Sequence, residues 1–412
     1  MNKITINGGI PLFGEIKVSG SKNAALPLIF ATLLTNGKSV FYNVPDIGDV
    51  RVAIDIISDL GAGVEFASNR LTIDTSAVSY KPPNPALVSK IRASTYLIGA
   101  SLARFGIAEV GEFGGCNFDL RPIDFHIKAA MSLGAKMYKG NLVTDGLKGA
   151  KIHLEKPSVG ATVNSLIMSA AAEGVTEIYG FAKEPHILSL IDYLSKAGLS
   201  INISEEKITV KKAPIHPIEY TIIGDMVEAS SYIIAGLITN GEILVSGFKT
   251  YELDSFFSIL HSMGYALDIG RNYVAVNPSK NSQRITSTVI TASPYPGFPT
   301  DIQPLIAPLL ASNNGGQIID TVWVNRFGYL KSLADFGMRY SEFHGGVNIE
   351  KSTLSCAVTR AIDLRGGMSC IIAALSLRGK SEILSPELVL RGYDSLPEKL
   401  NALGADVKLV NI

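Results

Sequence analysis

Hydrophobic positions along the chain fall into two interleaved series, each repeated six times. In the first, an amphipathic run such as Val50 to Leu60 or Leu396 to Leu403 ends on a small-Gly-small-apolar signature. The copies are Asp59-Leu-Gly-Ala-Gly, Ser132-Leu-Gly-Ala-Lys, Lys196-Ala-Gly-Leu-Ser, Ser262-Met-Gly-Tyr-Ala, Asp335-Phe-Gly-Met-Arg and Ala402-Leu-Gly-Ala-Asp. Their glycines, at 61, 134, 198, 264, 337 and 404, are spaced by about 64–73 residues. A glycine directly after a periodic apolar segment predicts a helix closed in the left-handed conformation. An alternating stretch follows, such as Lys207-Ile-Thr-Val-Lys or Tyr273-Val-Ala-Val, and predicts a strand.

The second series is almost wholly apolar: Ala24–Leu34, Thr95–Ala103, Val163–Ala172, Tyr232–Ile238, Pro304–Leu310 and Cys370–Leu377. A helix that is apolar all round must be buried all round. Each segment then meets a glycine-bearing turn, from Asn36-Gly37 to Arg378-Gly379. Each repeat therefore predicts one buried helix, one surface helix and several strands. Six such units exceed one core, and three buried helices per domain is the simplest grouping. Gly224-Asp225 lies near the midpoint between the third and fourth units. The N-terminal strand, Ile4 to Val18, has either half open to it as a partner.

The length of 412 residues agrees with two domains. Lys and Arg balance Asp and Glu at 37 each, which leaves no overall field for nucleic acid and no polybasic membrane tail. The longest apolar run, Ala24 to Leu34, contains Pro27 and is too short to span a bilayer. The opening Met1-Asn-Lys-Ile-Thr lacks an apolar signal core. Cys116, Cys356 and Cys370 are odd in number and lack Cys-x-x-Cys spacing, so they read as reduced thiols of a cytoplasmic protein.

The candidate chemistry concentrates at two kinds of place. One is the stretch from Glu112 to His126, where two glycines precede Cys116 and Arg121-Pro122 follow. A thiol on a Gly-Gly loop is unusual for packing alone, and the reactive and structural readings stay open on these residues. The other is the start of each buried helix. Lys22, Arg92 and Arg365 stand there, where a cation opposes the helix dipole. An anion bridging the cation and the exposed N–H groups would reconcile the two. Ser158, Thr300 and Asp301 are, on the plainer reading, ordinary caps. His126 and Cys370 read as core or supporting residues. Other motifs fail: Gly9 to Gly14 has P-loop spacing but Glu15-Ile16 follow, and Ser19-Gly-Ser-Lys22 has no Lys-Thr-Gly partner. The six histidines show no zinc spacing, and no Gly-x-Gly-x-x-Gly follows a strand, so neither metal nor nicotinamide or flavin cofactor is expected.

Taken together, Ser19-Gly-Ser-Lys22-Asn23-Ala-Ala-Leu-Pro, Arg92-Ala-Ser, Gly114-Gly-Cys116 with Arg121-Pro-Ile-Asp124, and Ser158-Val-Gly-Ala-Thr resemble one family. Phe298-Pro-Thr-Asp301, Asn325-Arg326-Phe, Asp363-Leu-Arg365 and Arg391-Gly-Tyr continue the match in order. The family is that of the bacterial UDP-N-acetylglucosamine enolpyruvyl (carboxyvinyl) transferases. The Cys116 loop separates it from the sister enolpyruvylshikimate-phosphate synthases. The resemblance implies a two-domain inside-out α/β barrel of six βαβαββ repeats, three per domain, with helices inside. It implies a catalytic domain from 1–21 and 225–412, and a second domain from 22–224 that carries the Cys116 loop and nucleotide contacts. The first strand would then belong with the C-terminal half, and a cleft between the domains would close on substrate.

The implied reaction is the first committed step of peptidoglycan synthesis. The enolpyruvyl group of phosphoenolpyruvate passes to the 3-hydroxyl of UDP-N-acetylglucosamine through a tetrahedral ketal, and phosphate leaves. Lys22, Arg92, Arg121, Arg365 and Arg391 would grip phosphoenolpyruvate, whose charges suit planar guanidinium groups. Asp301 would be the base near the sugar hydroxyl, and Asn23 would orient the sugar. Cys116 would protonate the methylene carbon and would be open to alkylation by fosfomycin. Lys22, Cys116, Asp301 and Arg391 form the implied catalytic set. Arg121, Pro122, Ile123, Asp124 and Phe125 would hold uracil; Lys156, Ser158, Val159 and Gly160 would hold the diphosphate; Val322 would complete the sugar-nucleotide contacts. No cofactor and no protein partner is implied.

The chain departs from the family pattern at Asp225-Met226, where Asp-Arg is usual, and at Asp46-Ile47-Gly48, which replaces a lysine-bearing segment. Val324 stands where Glu is usual, and Gly366-Gly367 replace Ala-Ser. The lost charges motivate a second reading, a paralogue with the same chemistry on another nucleotide or sugar. A third is a non-catalytic nucleotide-sugar sensor.

Overall fold

The computed structural model describes residues 2–111, 113–114, 122–281 and 286–411. The chain forms two compact units, one from Met1–Ser19 with Gly224–Ile412 and one from Gly20–Ile223. Gly20 and Ser21 thus cluster with the second unit, where the Ser21 N–H donates to the Ile223 carbonyl at 2.7 Å. Gly224 clusters with the first.

The six apolar segments are helices, three in each unit. The second unit holds Lys22–Ala31, Tyr96–Phe105 and Val159–Ser169; the first holds Met226–Ile238, Gln303–Ser312 and Leu364–Leu375. Every residue of Leu364–Leu375 is buried, as are Ala24 to Ala31. In the first unit the three helices pack mutually, and each unit has its own core. Several helices begin earlier than the apolar run, because polar residues cap or line their first turns.

Among the described residues five of the six sheets share one plan, a parallel pair of strands at one edge completed by two antiparallel strands. In three of them the parallel pair is the strand entering a buried helix and the strand leaving that same helix. Around Gln303–Ser312, Thr288–Ala292 pairs in parallel with Gly316–Asp320, then Gly346–Ile349 and Tyr340–Phe343 follow. The sixth sheet, beside Tyr96–Phe105, has three strands, because a short helix (Pro85–Val88) and a 3-10 turn (Arg92–Thr95) occupy the entering segment.

The same plan explains the two chain crossings. Phe13–Lys17 pairs in parallel with Glu242–Ser246, although the whole second unit intervenes in sequence. Glu219–Thr221 likewise pairs with Lys38–Tyr42. The second unit is inserted into a strand-to-helix crossover of the first. Asn2–Gly8 lies antiparallel between Gly379–Leu384 and Asp406–Asn411, so the N-terminus completes the last repeat. The expected single strand from Ile4 to Val18 is two strands, broken where Gly9 takes φ +82° ahead of Pro11.

All six repeat glycines have φ between +87° and +122°. The residue after each donates its N–H to the carbonyl five residues back, from Ala62 to Ile57 at 3.2 Å through Ala405 to Leu400 at 3.1 Å. A side chain at these left-handed positions would be strained, which accounts for the invariance of the signature within this chain.

Candidate functional site

In the first unit two buried helices start on carboxylates. Asp225 Oδ1 accepts from the Val227 and Glu228 N–H groups at 2.8 and 3.1 Å, and Asp363 Oδ1 from Arg365 and Gly366 at 2.9 and 2.8 Å. These carboxylates satisfy backbone donors and suit the positive end of the helix dipole. The third helix, Gln303–Ser312, has no side-chain cap. Thr300 and Asp301 are turned elsewhere, which corrects the capping reading for both. Asp301 Oδ1 accepts from Arg326 Nη1 at 2.7 Å and its Oδ2 from Arg365 Nη2 at 3.2 Å. The two arginine side chains are 6% and 3% exposed, whereas Asp301 is 28% exposed. A carboxylate that reaches solvent is thus gripped by two buried cations.

Burial works against the Arg365 charge, but Tyr393, Asp301 and Asp225 more than offset it and hold the guanidinium charged. Its central carbon lies 5.5 Å from the Tyr393 ring centre, and the Tyr393 hydroxyl is hydrogen-bonded to Ser231 at 2.7 Å. Arg391 follows the short helix Glu387–Leu390 and stands two residues before Tyr393, partly buried. The structure therefore joins Asp301, Arg365 and the Arg391 segment in one unit. Val322 belongs to the loop after Gly316–Asp320, its N–H donating to Asp320 Oδ1 at 2.9 Å.

In the second unit Lys22 opens the first buried helix, and Lys22 Nζ lies 3.2 Å from Asp49 Oδ2. Asp49 sits in the first turn of Gly48–Asp59, where a negative charge is favoured. The cation that opposes one helix start is thus held by a carboxylate that suits another. Asn23 follows, half-buried. Arg92 begins the 3-10 turn, and burial depresses its basicity.

The start of Asp124–Ser132 meets the start of Val159–Ser169 through His126. This ring is buried, and burial first, then Arg92, push its pKa down to about 4. It is therefore neutral, with Nδ1 paired to Asn164 Nδ2 at 2.6 Å and the hydrogen left on Nε2. A Cβ on Gly160 would come within 2.8 Å of His126 Cε1, so the helix start needs glycine there. Ser158 Oγ accepts from the Ala161 N–H at 3.4 Å, which is the plain capping role. Ile123, Phe125, Val159 and Gly160 are half-buried around this contact; Pro122, Asp124 and Lys156 are exposed. His126 and Cys370 are core residues, and burial pushes the Cys370 thiol well up. Cys116 and Arg121 lie outside the described residues.

A cavity of about 550 Å³ also lies in the second unit, at the opposite ends of the buried helices. It is lined by Leu33, Ala103, Arg104 and Ala170 among others. Arg104 donates to the Leu33 and Thr35 carbonyls at the end of the turn Thr32–Leu34 and to the Thr75 carbonyl after the strand Arg70–Asp74, so its donors serve backbone carbonyls. Among the described residues no group of His, Cys, Asp and Glu could hold a metal ion, and no helix is long and apolar enough to cross a membrane.

Sequence reasoning missed Asp320 and gave Arg326 only a place in a motif. A carboxylate at a strand end beside Thr-Val-Trp offers no signal of which hydroxyl it will meet.

The sequence profile of the family described as EPSP synthase (3-phosphoshikimate 1-carboxyvinyltransferase) matches residues 6–400. The chain is 38% identical, over the full length of both, to UDP-N-acetylglucosamine 1-carboxyvinyltransferase of Halothermothrix orenii. It is 37% identical to UDP-N-acetylglucosamine 1-carboxyvinyltransferase 3 of Caldanaerobacter subterraneus subsp. tengcongensis, over 99% of both chains. Among solved structures, the enolpyruvyl transferase NikO from Streptomyces tendae superposes with a TM-score of 0.89 at 24% identity, over 100% of this chain and 99% of that one. That likeness concerns the fold.

Proposed function

The chain belongs to the EPSP synthase family of carboxyvinyltransferases, and from that premise we propose that it transfers the enolpyruvyl group of phosphoenolpyruvate to the 3-hydroxyl of UDP-N-acetylglucosamine. The observation that carries the reading is the end-to-end match to relatives named for that acceptor.

In the addition step the sugar oxygen bonds to C2 of phosphoenolpyruvate, its proton passes to Asp301, and C3 gains a proton from Cys116. In the elimination step the C2–O bond to phosphate breaks, C3 loses a proton, and the double bond re-forms. Atoms balance as enolpyruvyl ether plus inorganic phosphate. Lys22, Arg92, Arg121, Arg365 and Arg391 neutralise the carboxylate and phosphate, a task that fixed, desolvated cations perform without reorganisation. The buried Arg365, held charged, supports this assignment. Arg121 to Phe125, Lys156, Ser158 to Gly160, Asn23 and Val322 receive the nucleotide sugar.

The departures from the family pattern now have surroundings. A Cβ on Gly366 would lie 2.6 Å from Tyr329 Cβ, and one on Gly367 would lie 2.4 Å from Val389 Cγ2. Packing accounts for that Gly-Gly pair. Met226 is the first residue of Met226–Ile238 and packs against the core, and Gly48 begins Gly48–Asp59. These two removed charges favour a second reading, in which the acceptor is another nucleotide or sugar.

The test is phosphate release with phosphoenolpyruvate and a panel of UDP-N-acetylglucosamine, UDP-N-acetylgalactosamine, UDP-glucose and shikimate 3-phosphate. Turnover is expected with the first, and fosfomycin should abolish it in the wild type by adding its mass to Cys116. Release with a different acceptor alone would replace the first reading by the second. Binding without any release would leave only a sensor.

A further inference from the structure

We propose that Asp320, acting through the Thr300 hydroxyl, is a positioning residue that aims Arg326 and thereby sets the Asp301 carboxylate. The proposal deepens the reading above and rests on it for the role of Asp301. Asp320 closes the strand Gly316–Asp320 and is 1% exposed. Its Oδ1 accepts from the Val322 and Trp323 N–H groups at 2.9 and 2.8 Å, turning the chain back on itself. Its Oδ2 accepts from Thr300 Oγ1 at 2.5 Å. A carboxylate has no hydrogen to give, so the Thr300 hydrogen is committed to Asp320. The Thr300 oxygen is then an acceptor, and Arg326 Nη1 donates to it at 3.3 Å and to Asp301 Oδ1 at 2.7 Å.

The relay has one polarity, from Thr300 to Asp320 and from Arg326 to both Thr300 and Asp301. The backbone at Arg326 is held as well: its carbonyl accepts from Gln303 Nε2 at 3.0 Å, and Gln303 Oε1 accepts from the Tyr329 hydroxyl at 2.7 Å. Arg326 is thus fixed at its main chain and guided at its tip. Asp320→Asn preserves shape and the acceptor for the turn. It places an N–H₂ group against Thr300, so the hydroxyl hydrogen is released towards Arg326, where donor meets donor. Thr300→Val removes the link; Thr300→Ser keeps it.

Trp323 is the chain's single tryptophan and sits in the loop that Asp320 ties down, so its emission reports the loop without any substrate. Asp320→Asn and Thr300→Val are expected to lower kcat by roughly 10- to 100-fold, the range for a hydrogen bond to a charged group. KM for phosphoenolpyruvate should stay within about twofold, the acidic limb of the kcat–pH profile should move, and Thr300→Ser should recover most of the loss. The Trp323 emission maximum should shift in Asp320→Asn. Wild-type kcat and pH profile in both damaging variants, or Thr300→Ser as impaired as Thr300→Val, would overturn the proposal. Unchanged Trp323 emission together with unchanged amide exchange over 320–326 in Asp320→Asn would overturn it regardless of substrate. Failure of the wild type to use UDP-N-acetylglucosamine would instead remove the reading of the acceptor, with the emission and exchange results still decisive for the relay.

Discussion

Asp301 is defined by its company. Its carboxylate has guanidinium partners at 2.7 and 3.2 Å. Asp301→Asn is expected to cut turnover by about 10²–10⁴-fold, the usual worth of a general base. Asp301→Ala should in addition lower stability, because two buried cations then face each other; solvent at this 28% exposed group keeps the loss nearer 1 than the roughly 3–5 kcal/mol of a fully buried pair. Steady-state kinetics and urea unfolding of the two variants separate these effects, and equal turnover in Asp301→Asn would sink the assignment. Residue type was legible here, since Thr300-Asp301 stood out beside a buried helix. Direction was not: the same pair could cap the helix, and only the approach of Arg326 and Arg365 from distant segments turned it away.

Among the elements, the point where the chain leaves the first unit is held by a network of buried and part-buried polar groups. Glu228, in the first turn of Met226–Ile238, accepts from the Ser19 N–H at 2.8 Å and from Lys399 Nζ at 2.6 Å. Lys399 also reaches Ser19 Oγ at 2.6 Å, and Ser19 Oγ donates to Asp394 at 3.2 Å. Glu228 and Lys399 are 4% and 16% exposed, so this is a buried pair whose partners depend on each other. Burial pushes the Glu228 carboxyl up, with Lys399 opposing it. Lys399→Met should cost about 3–5 kcal/mol in urea unfolding, since it strands a buried carboxylate, and Glu228→Gln in the same chain should restore part of that. A cost under about 1 kcal/mol would show the pair to be no more than a surface contact. Helix existence and helix ends were readable from the two periodic series and the six glycines. The network was not, because it joins three distant stretches of the chain, at Ser19, at Glu228 and at Asp394 with Lys399, and none carries a local signal.

Over the whole molecule the two units respond oppositely to pH through one group each. In the second unit His126 is pushed from 6.5 to about 4, so between those values the unfolded chain binds a proton that the folded one refuses. Its contribution to stability therefore falls as pH drops through that window, by about 1.4 kcal/mol per pH unit. In the first unit burial raises Glu252 from 4.5 to about 7, Lys249 pulling it down and Asp225 pushing it up. There the folded state holds the extra proton, and its contribution falls as pH rises from 4.5 to 7. Amide exchange at pH 4.5 and 6.5 should show Glu252→Gln flattening the pH trend in the first unit alone, and His126→Gln that in the second alone. A change of the same sign in both units from either variant would contradict this.

What the linear chain determined by itself is whatever depends on near neighbours: a left-handed glycine after each amphipathic helix, an apolar run that demands burial, six copies of one unit, and motifs dense enough to mark a family. What only the tertiary structure decided is pairing across long separations. Phe13–Lys17 finds its parallel partner after the second unit has been inserted, and Asn2–Gly8 completes a sheet begun at Val358–Arg360. The orientation of Asp301, the neutrality of His126 and the Asp320–Thr300 relay belong to the same class. Each is set by desolvation and by partners that the fold supplies, and neither can be read from a residue's own surroundings in sequence.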